Sequence, residues 1–258
     1  MEDSKSPYSS SNEILPPLLK KFGYLQALNV EEAELLLKMH ASKKMITKGK
    51  VILRQEDIHK SSFIVTHGWA YRYSDLYDGS RQVINYYLPG DIISPFALVM
   101  PKVNYSVAAL TGLRVSVYKP EYLMELFSTQ PRLGLFYAWM LGREDSTMAE
   151  QIVRIGRRSA YKRTAHLLLE LYHRLKIVGL TDNRSFYLPI TQSLLADTLG
   201  LSVVHMNRTL YKLRLENLIR IRSHKISLLN LDRLKEIAEY KGTYLEQMKN
   251  IFESKNSL

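Results

Sequence analysis

The rhythm of apolar positions changes twice along the chain. Residues 14–22 and 29–39 carry apolar side chains at helical spacing, residues 45–119 break into short β-like runs, and helical spacing returns after Pro131. In the second helical stretch Asn29 suits the cap position. Glu31, Glu32 and Glu34 favour the positive end of that helix, and residues 35–37 supply its leucines.

Within residues 45–119 the predicted strands are 51–53, 62–65, 69–73, 82–88, 106–109 and 115–118. Turn signals separate them: Lys48-Gly49, His67-Gly68, Asp78-Gly79, Pro89-Gly90 and Thr111-Gly112. Many short strands at this spacing predict an antiparallel sandwich or roll. Asp78-Gly79, between 72–76 and 81–87, predicts a hairpin.

Pro120 opens a short predicted helix ending at Gln130, and Pro131 suits the first turn of a long one, since 132–188 contains no proline. Tyr137, Leu141, Glu144, Met148, Gln151 and Ile155 alternate spacings of four and three, the rhythm of a helix-pairing seam. The same stripe would also suit a helix lying on the chain's own roll. An amphipathic helix is expected over 165–175.

Residues 191–213 carry the most chemistry. Thr191 caps a predicted helix ending at Leu199, Ala196 stands four residues before Gly200, and Met206 six beyond it. A small Ala lets two helices approach closely and Gly permits the tight turn between them, so the spacing predicts a helix-turn-helix, with a generic helical hairpin as the plainer alternative. Ser202 caps the second helix, whose opening residues Val203, His205, Asn207 and Arg208 would face a major groove. Thr209 departs from the pattern, because a larger apolar residue usually faces inward there. Residues 217–228 read as two strands around a basic turn, a wing that would bring Arg222, His224 and Lys225 to a phosphate backbone.

Charge sharpens this picture. Of the net +11, residues 1–153 hold 17 Lys/Arg against 16 Asp/Glu, residues 154–225 hold 14 against 4, and residues 226–258 hold 5 against 5. A basic segment beside neutral ones predicts a dedicated polyanionic partner, double-stranded DNA above others. Cys is absent, which removes disulfides, thiolate metal sites, cysteine-ligated iron–sulfur clusters and a cysteine nucleophile. The polar start over 1–12 has no apolar run behind it. The most apolar stretch, 83–101, is interrupted by Asn85, Pro89, Gly90, Asp91 and Pro95, so no membrane contact and a cytoplasmic location are expected.

Taken together, the order of elements over about residues 15–240 resembles the Crp/Fnr family of bacterial transcription regulators. The stretch ITQSLLADTLGLSVVHMNRTLYKLRLENLI (190–219) is similar to that family's DNA-reading unit, and LPGDII (88–93) to its Gly-Asp turn. The resemblance implies an α+β chain with these parts: an arm (1–13), an antiparallel β-roll sensor domain of the cyclic-nucleotide-binding, cupin-like jelly-roll type (14–130), a dimerisation helix (131–160), a winged helix-turn-helix (161–240) and a helical tail (241–258). It implies a homodimer paired through 133–155, an inverted-repeat operator and contact with RNA polymerase. By position, Arg208 matches the family's guanine-reading Arg, Ser202 its backbone-contacting cap, and Thr191 a phosphate contact. Gln192, Val203, His205, Asn207, Lys212, Arg222 and Lys225 complete the expected DNA-binding set. Val204 stands where many members carry a base-reading Glu, and Asn207 where they carry Gly or Ser.

The expected effector pocket holds Gly90, Asp91, Pro95, Tyr105 and Ser106. Cyclic-AMP-binding members place a Glu at the position of Pro95 and an Arg at that of Tyr105, and only Ser106 is kept. A buried phosphate without its cation is costly, so cyclic AMP is not the expected effector. A haem- or other small-molecule-responsive regulator is one alternative. A cupin-type metal enzyme is the other, although His40, His59 and His67 are isolated along the chain. No cofactor, metal or catalytic residue is expected.

Overall fold

The structure, a computed structural model, describes residues 16–242 except 26, 27, 41, 98 and 120. The predicted arm and all but the start of the predicted tail lie outside these. Helices α1 (Pro17–Leu25) and α2 (Val30–Lys38) come first. Proline suits a helix's first turn, where its missing N–H is not needed, and α1 runs from Pro17 past the expected end at residue 22. Asn29 caps α2 in a reciprocal box: the Glu32 N–H donates to Asn29 Oδ1 at 2.8 Å, and the Asn29 N–H donates to Glu32 Oε2 at 2.9 Å.

Eight strands follow: β1 (Lys43–Ile46), β2 (Val51–Leu53), β3 (Ser62–His67), β4 (Ala70–Asp75), β5 (Arg81–Tyr87), β6 (Ile92–Ile93), β7 (Ser106–Ala109) and β8 (Leu113–Tyr118). They form two antiparallel sheets, ordered β1-β8-β3-β6 and β2-β7-β4-β5. Val65, Ile93, Val107, Leu113 and Val115 fill the space between them. The predicted hairpin joins β4 and β5, with the Leu76 N–H donating to Ser80 O at 2.8 Å. Strands β1 and β6 escape the sequence pattern for different reasons. The first is a Lys-rich edge with one buried residue, and the second has only two residues after Gly90.

Helix α3 (Tyr122–Thr129) leads to the long α4 (Pro131–Arg157). Leu18, Phe22, Leu36, Leu126 and Phe136 knit α1 to α4 into one cluster, with the Phe22 and Phe136 rings stacked at 5.3 Å. The predicted seam on α4 needs correction. Tyr137 and Gln151 are buried within the chain's own body, and Glu144 is ion-paired to Arg72 of β4. Tyr137 donates to Pro95 O at 3.0 Å and Gln151 to Thr198 O at 2.7 Å. Leu141, Met148 and Ile155 remain half-buried, while Leu135, Ile152 and Val153 are exposed.

The last part comprises α5 (Ala160–Ile177), β9 (Thr181–Asp182), β10 (Ser185–Tyr187), α6 (Gln192–Leu199), α7 (Val203–Leu215), β11 (Ile219–Arg222), β12 (Lys225–Leu228) and α8 (Leu231–Ala238). Its sheet runs β11-β12-β10-β9. Helix α5 starts five residues before the expected 165, behind the Ser159 cap, and is not amphipathic in effect. Its polar stripe of His166, Glu170 and Arg174 is buried as deeply as its leucines. The reason is that α5 lies between two bodies, so no side faces water along most of its length. Trp69, Tyr73, Val83 and Tyr86 of the roll share one apolar cluster with Leu168, Leu195, Leu199 and Met206 of the C-terminal part.

Polar bonds reinforce that junction. Arg174 donates to Asn85 Oδ1 (2.9 Å), Tyr86 O (2.6 Å) and Asp91 Oδ2 (2.9 Å) on the roll, and to Glu170 Oε1 (3.3 Å) on its own helix. Arg154 of α4 pairs with Glu170 and donates its Nε to His166 Nδ1 at 3.3 Å. Among the described residues no helix is long and apolar enough to cross a membrane.

Candidate nucleic-acid interface

Local chemistry sets the α6–α7 corner. The Thr191 hydroxyl accepts from the Leu194 N–H (3.2 Å) and starts α6. Gly200 ends it at φ 61° and ψ 46°, a left-handed conformation that glycine adopts without penalty. The Leu201 N–H then donates back to Ala196 O at 3.0 Å, and Ala196 is buried, so the small side chain stands where the two helices meet. The Ser202 hydroxyl accepts from the His205 N–H (3.2 Å) and starts α7.

The buried face of α7 is Met206, Thr209, Leu210 and Leu213. Thr209 does face inward, and its hydroxyl donates to His205 O at 2.9 Å, which satisfies the one polar atom the pattern left unexplained. All ten expected DNA-binding side chains, Thr191, Gln192, Ser202, Val203, His205, Asn207, Arg208, Lys212, Arg222 and Lys225, are exposed. Ser202, His205, Arg208 and Lys212 surround one shallow depression together with Val204 and Tyr161. Tyr161 was not foreseen. Two residues after the Ser159 cap of α5, it carries no local signal, and only the fold brings it under the Lys212 ammonium, 4.7 Å from its ring centre. Partial burial and the neighbouring Glu216, which accepts its hydrogen bond, push the Tyr161 phenol well up.

The wing forms as expected. β11 and β12 are joined by Ser223 and His224, both at positive φ, the geometry of a tight two-residue hairpin. Arg222 and Lys225 flank that turn, but the Lys225 ammonium is ion-paired to Asp182 at 2.8 Å. The basic window is also less of a surface than its count suggests. Arg154 and Arg174 are buried in the junction, and Arg163 donates to Arg158 O and Leu199 O at 2.7 and 2.8 Å.

The expected effector residues are split up. Pro95 and Tyr105 line a cavity of about 860 Å³ between the roll and α4. Gly90, Asp91 and Ser106 do not. Gly90 is pressed against Pro17 O, Asp91 is held by Lys21 and Arg174, and the Ser106 hydroxyl accepts from the Gln55 N–H at 3.1 Å. A cation from another strand does lie beside Tyr105, already paired to a carboxylate. The Arg72 guanidinium lies 3.5 Å over the Tyr105 ring and pairs with Glu144 at 3.4 Å. Burial raises the Glu144 carboxyl above its ordinary value, against the opposing pull of Arg72. His40 hydrogen-bonds Ser116 Oγ through Nδ1 at 2.9 Å and His59 contacts Arg54 O at 3.0 Å, and among the described residues no three metal-ligating side chains cluster.

Residues 162–237 match the family described as Crp-like helix-turn-helix domain, and residues 43–130 the family described as cyclic nucleotide-binding domain. The chain is 29% identical over 212 residues to the nitrogen fixation regulation protein FixK of Bradyrhizobium diazoefficiens, spanning 81% of this chain and 88% of that protein. It is 29% identical over 192 residues to the transcriptional activatory protein AadR of Rhodopseudomonas palustris, spanning 73% and 78%. Its fold superposes on the structure of FixK2 from Bradyrhizobium japonicum with a TM-score of 0.67 and 24% identity, over 76% of this chain and 96% of that one. With a helix-turn-helix cornered at Gly200, a wing, a double-sheet roll and these relatives, the chain belongs to the Crp/Fnr family of DNA-binding transcription regulators.

Proposed function

We propose that this regulator acts as a homodimer on an inverted-repeat operator, with α7 in the major groove. The observation that carries this is the division of α7: Met206, Thr209, Leu210 and Leu213 anchor it, while Asn207 and Arg208 stand free on the opposite side. Arg208 is suited to bidentate contact with guanine, Asn207 with adenine, and Val203 with a thymine methyl. His205 faces the groove beside them, while Thr191, Gln192, Ser202, Lys212, Arg222 and Lys225 serve the backbone and set register. Exposed Leu135, Ile152 and Val153 on α4 supply the surface on which a second copy pairs. RNA polymerase is a further partner, and the cytoplasm is the site of action.

The 860 Å³ cavity is the seat of the effector. Its charged lining is Glu56, Glu144 and Asp145 against Arg72 and Lys102, an acidic balance that favours a ligand without a phosphodiester over cyclic AMP. The protein works as a regulator and not as an enzyme.

Selection of bound sites from random duplex DNA by the full chain tests the reading. The expected product is an inverted repeat whose half-sites lie about one helical turn apart. Recovery of a single unrepeated site, protected by one copy of the chain, would overturn it.

A further inference from the structure

The two valines that open α7 are not equivalent. Residues on a helix advance by about 100° each, so the buried row of Met206, Thr209, Leu210 and Leu213 fixes the side of α7 that faces the core. Val204 and Arg208 lie nearly opposite the centre of that row, whereas Val203 lies toward its edge. Exposure follows this placement: Val204 is 61% exposed and Val203 45%. Of the two, Val204 points more squarely into any groove that α7 enters.

Inside the protein this side chain has little to do. A β-branched residue supports a helix less well than Ala or Leu, and Val204 belongs to none of the apolar clusters of the described residues. It lines the depression at the head of α7, where Ser202, His205, Arg208 and Lys212 are polar and the Tyr161 ring is covered by the Lys212 ammonium. Val204 is the uncovered aliphatic surface there, one helical turn before Arg208. Side chains four apart on a helix stand about 5–6 Å from one another, the span of one to two base steps of about 3.4 Å. Base edges in the major groove offer such a side chain one apolar partner, the C5-methyl of thymine.

We propose that Val204 is a specificity-determining residue that reads the C5-methyl of a thymine within about two base steps of the guanine read by Arg208. This rests on the placement of α7 in the major groove given above. It adds one base to each half-site beyond those assigned to Val203, Asn207 and Arg208.

The test starts from the inverted-repeat operator recovered by selection, with the guanine located as the position where Arg208→Ala loses discrimination. Thymines are replaced one position at a time, in both half-sites, by deoxyuridine, which lacks only the methyl. Affinity of the full chain for each duplex is then measured by fluorescence anisotropy. One position near the guanine should lose about fourfold per half-site, the worth of one buried methyl-sized group. In Val204→Ala, which keeps the helix, thymine and uracil at that position should bind within about twofold of each other. In Val203→Ala the discrimination there should persist. Val204→Glu, whose carboxylate accepts from the cytosine amino group, should move the preference at that base pair from thymine to cytosine. An inverted repeat with no thymine near the guanine, equal binding of every uracil duplex, or a penalty undiminished in Val204→Ala would overturn this proposal alone. Recovery of no inverted repeat would overturn the operator reading, and this proposal with it.

Discussion

Tyr86 of the roll and Thr198 of the helix-turn-helix share a buried hydrogen bond of 2.5 Å. Thr198 Oγ1 already donates to Leu194 O at 2.6 Å, so the phenol is the donor in this pair. The Thr198 carbonyl is bound as well, by Gln151 of α4 and by Gln82 of β5 at 3.3 Å. One residue of α6 thus reads the position of both the roll and the long helix.

That pairing is measurable. Tyr86→Phe should cost about 0.5–1.5 kcal/mol in denaturant unfolding, the net value of one neutral hydrogen bond. Thr198→Val should cost more, since it removes a donor and an acceptor together. In the double variant the losses should be less than additive. Simple additivity would mean that the two hydroxyls do not interact in solution.

Arg174 and Arg222 belong to the same basic window, yet opposite outcomes are expected. Arg174→Ala strips Asp91 and Glu170 of a buried partner and should cost about 3–5 kcal/mol of stability. Arg222→Ala, on the exposed wing, should leave the unfolding midpoint within about 0.5 kcal/mol. It should weaken binding to every duplex alike and flatten the fall of affinity with salt. Equal stability losses in the two variants would refute this division of the window.

The contrast marks what the sequence could and could not disclose. The Gly200 corner, the Ser202 cap, the wing and six of the eight roll strands were legible because each is written in neighbouring residues. Long-range partnerships were not. His166, Glu170 and Arg174 have the spacing of a solvated helix face, and only the docking of α5 between two bodies reveals them as a buried network. Tyr137, Glu144 and Gln151 likewise suit a helix-pairing seam, and the chain's own roll and α6 occupy their side of α4. Arg72 reaches the Tyr105 ring from another strand, a contact that positional matching along the sequence does not disclose.

Arg208 should behave as a reader of sequence. On the preferred operator Arg208→Ala should cost about 1–3 kcal/mol and relax the choice of base at one position, as measured by competition among single-base variants of the site. An equal loss on all sequences would make it a phosphate contact. Tyr161→Phe provides the comparison: it keeps the ring beneath Lys212 and should alter affinity little and selectivity not at all.

Two buried histidines make stability depend on acidity. Burial, with Lys43 nearby, lowers His40 to about 4, and burial with Arg154 and Arg158 lowers His166 to about 2. His166 is therefore neutral although it lies 3.2 Å from Glu150. Arg154 donates to its Nδ1, so the proton sits on Nε2, which donates a hydrogen bond to the Glu150 carboxylate. Between about pH 6.5 and pH 4 the unfolded chain takes up protons on both rings that the folded chain refuses, so stability falls as pH falls across that window. Below pH 4 the His40 contribution is exhausted, whereas that of His166 continues to decline. Each ring adds at most about 1.4 kcal/mol per pH unit to the slope. Replacing His40 by Gln should remove one ring's share between pH 6.5 and 4 and leave the slope near neutrality unchanged. Unfolding free energies measured at half-unit intervals would show this, and a wild-type curve flat from pH 7 to 5 would contradict it.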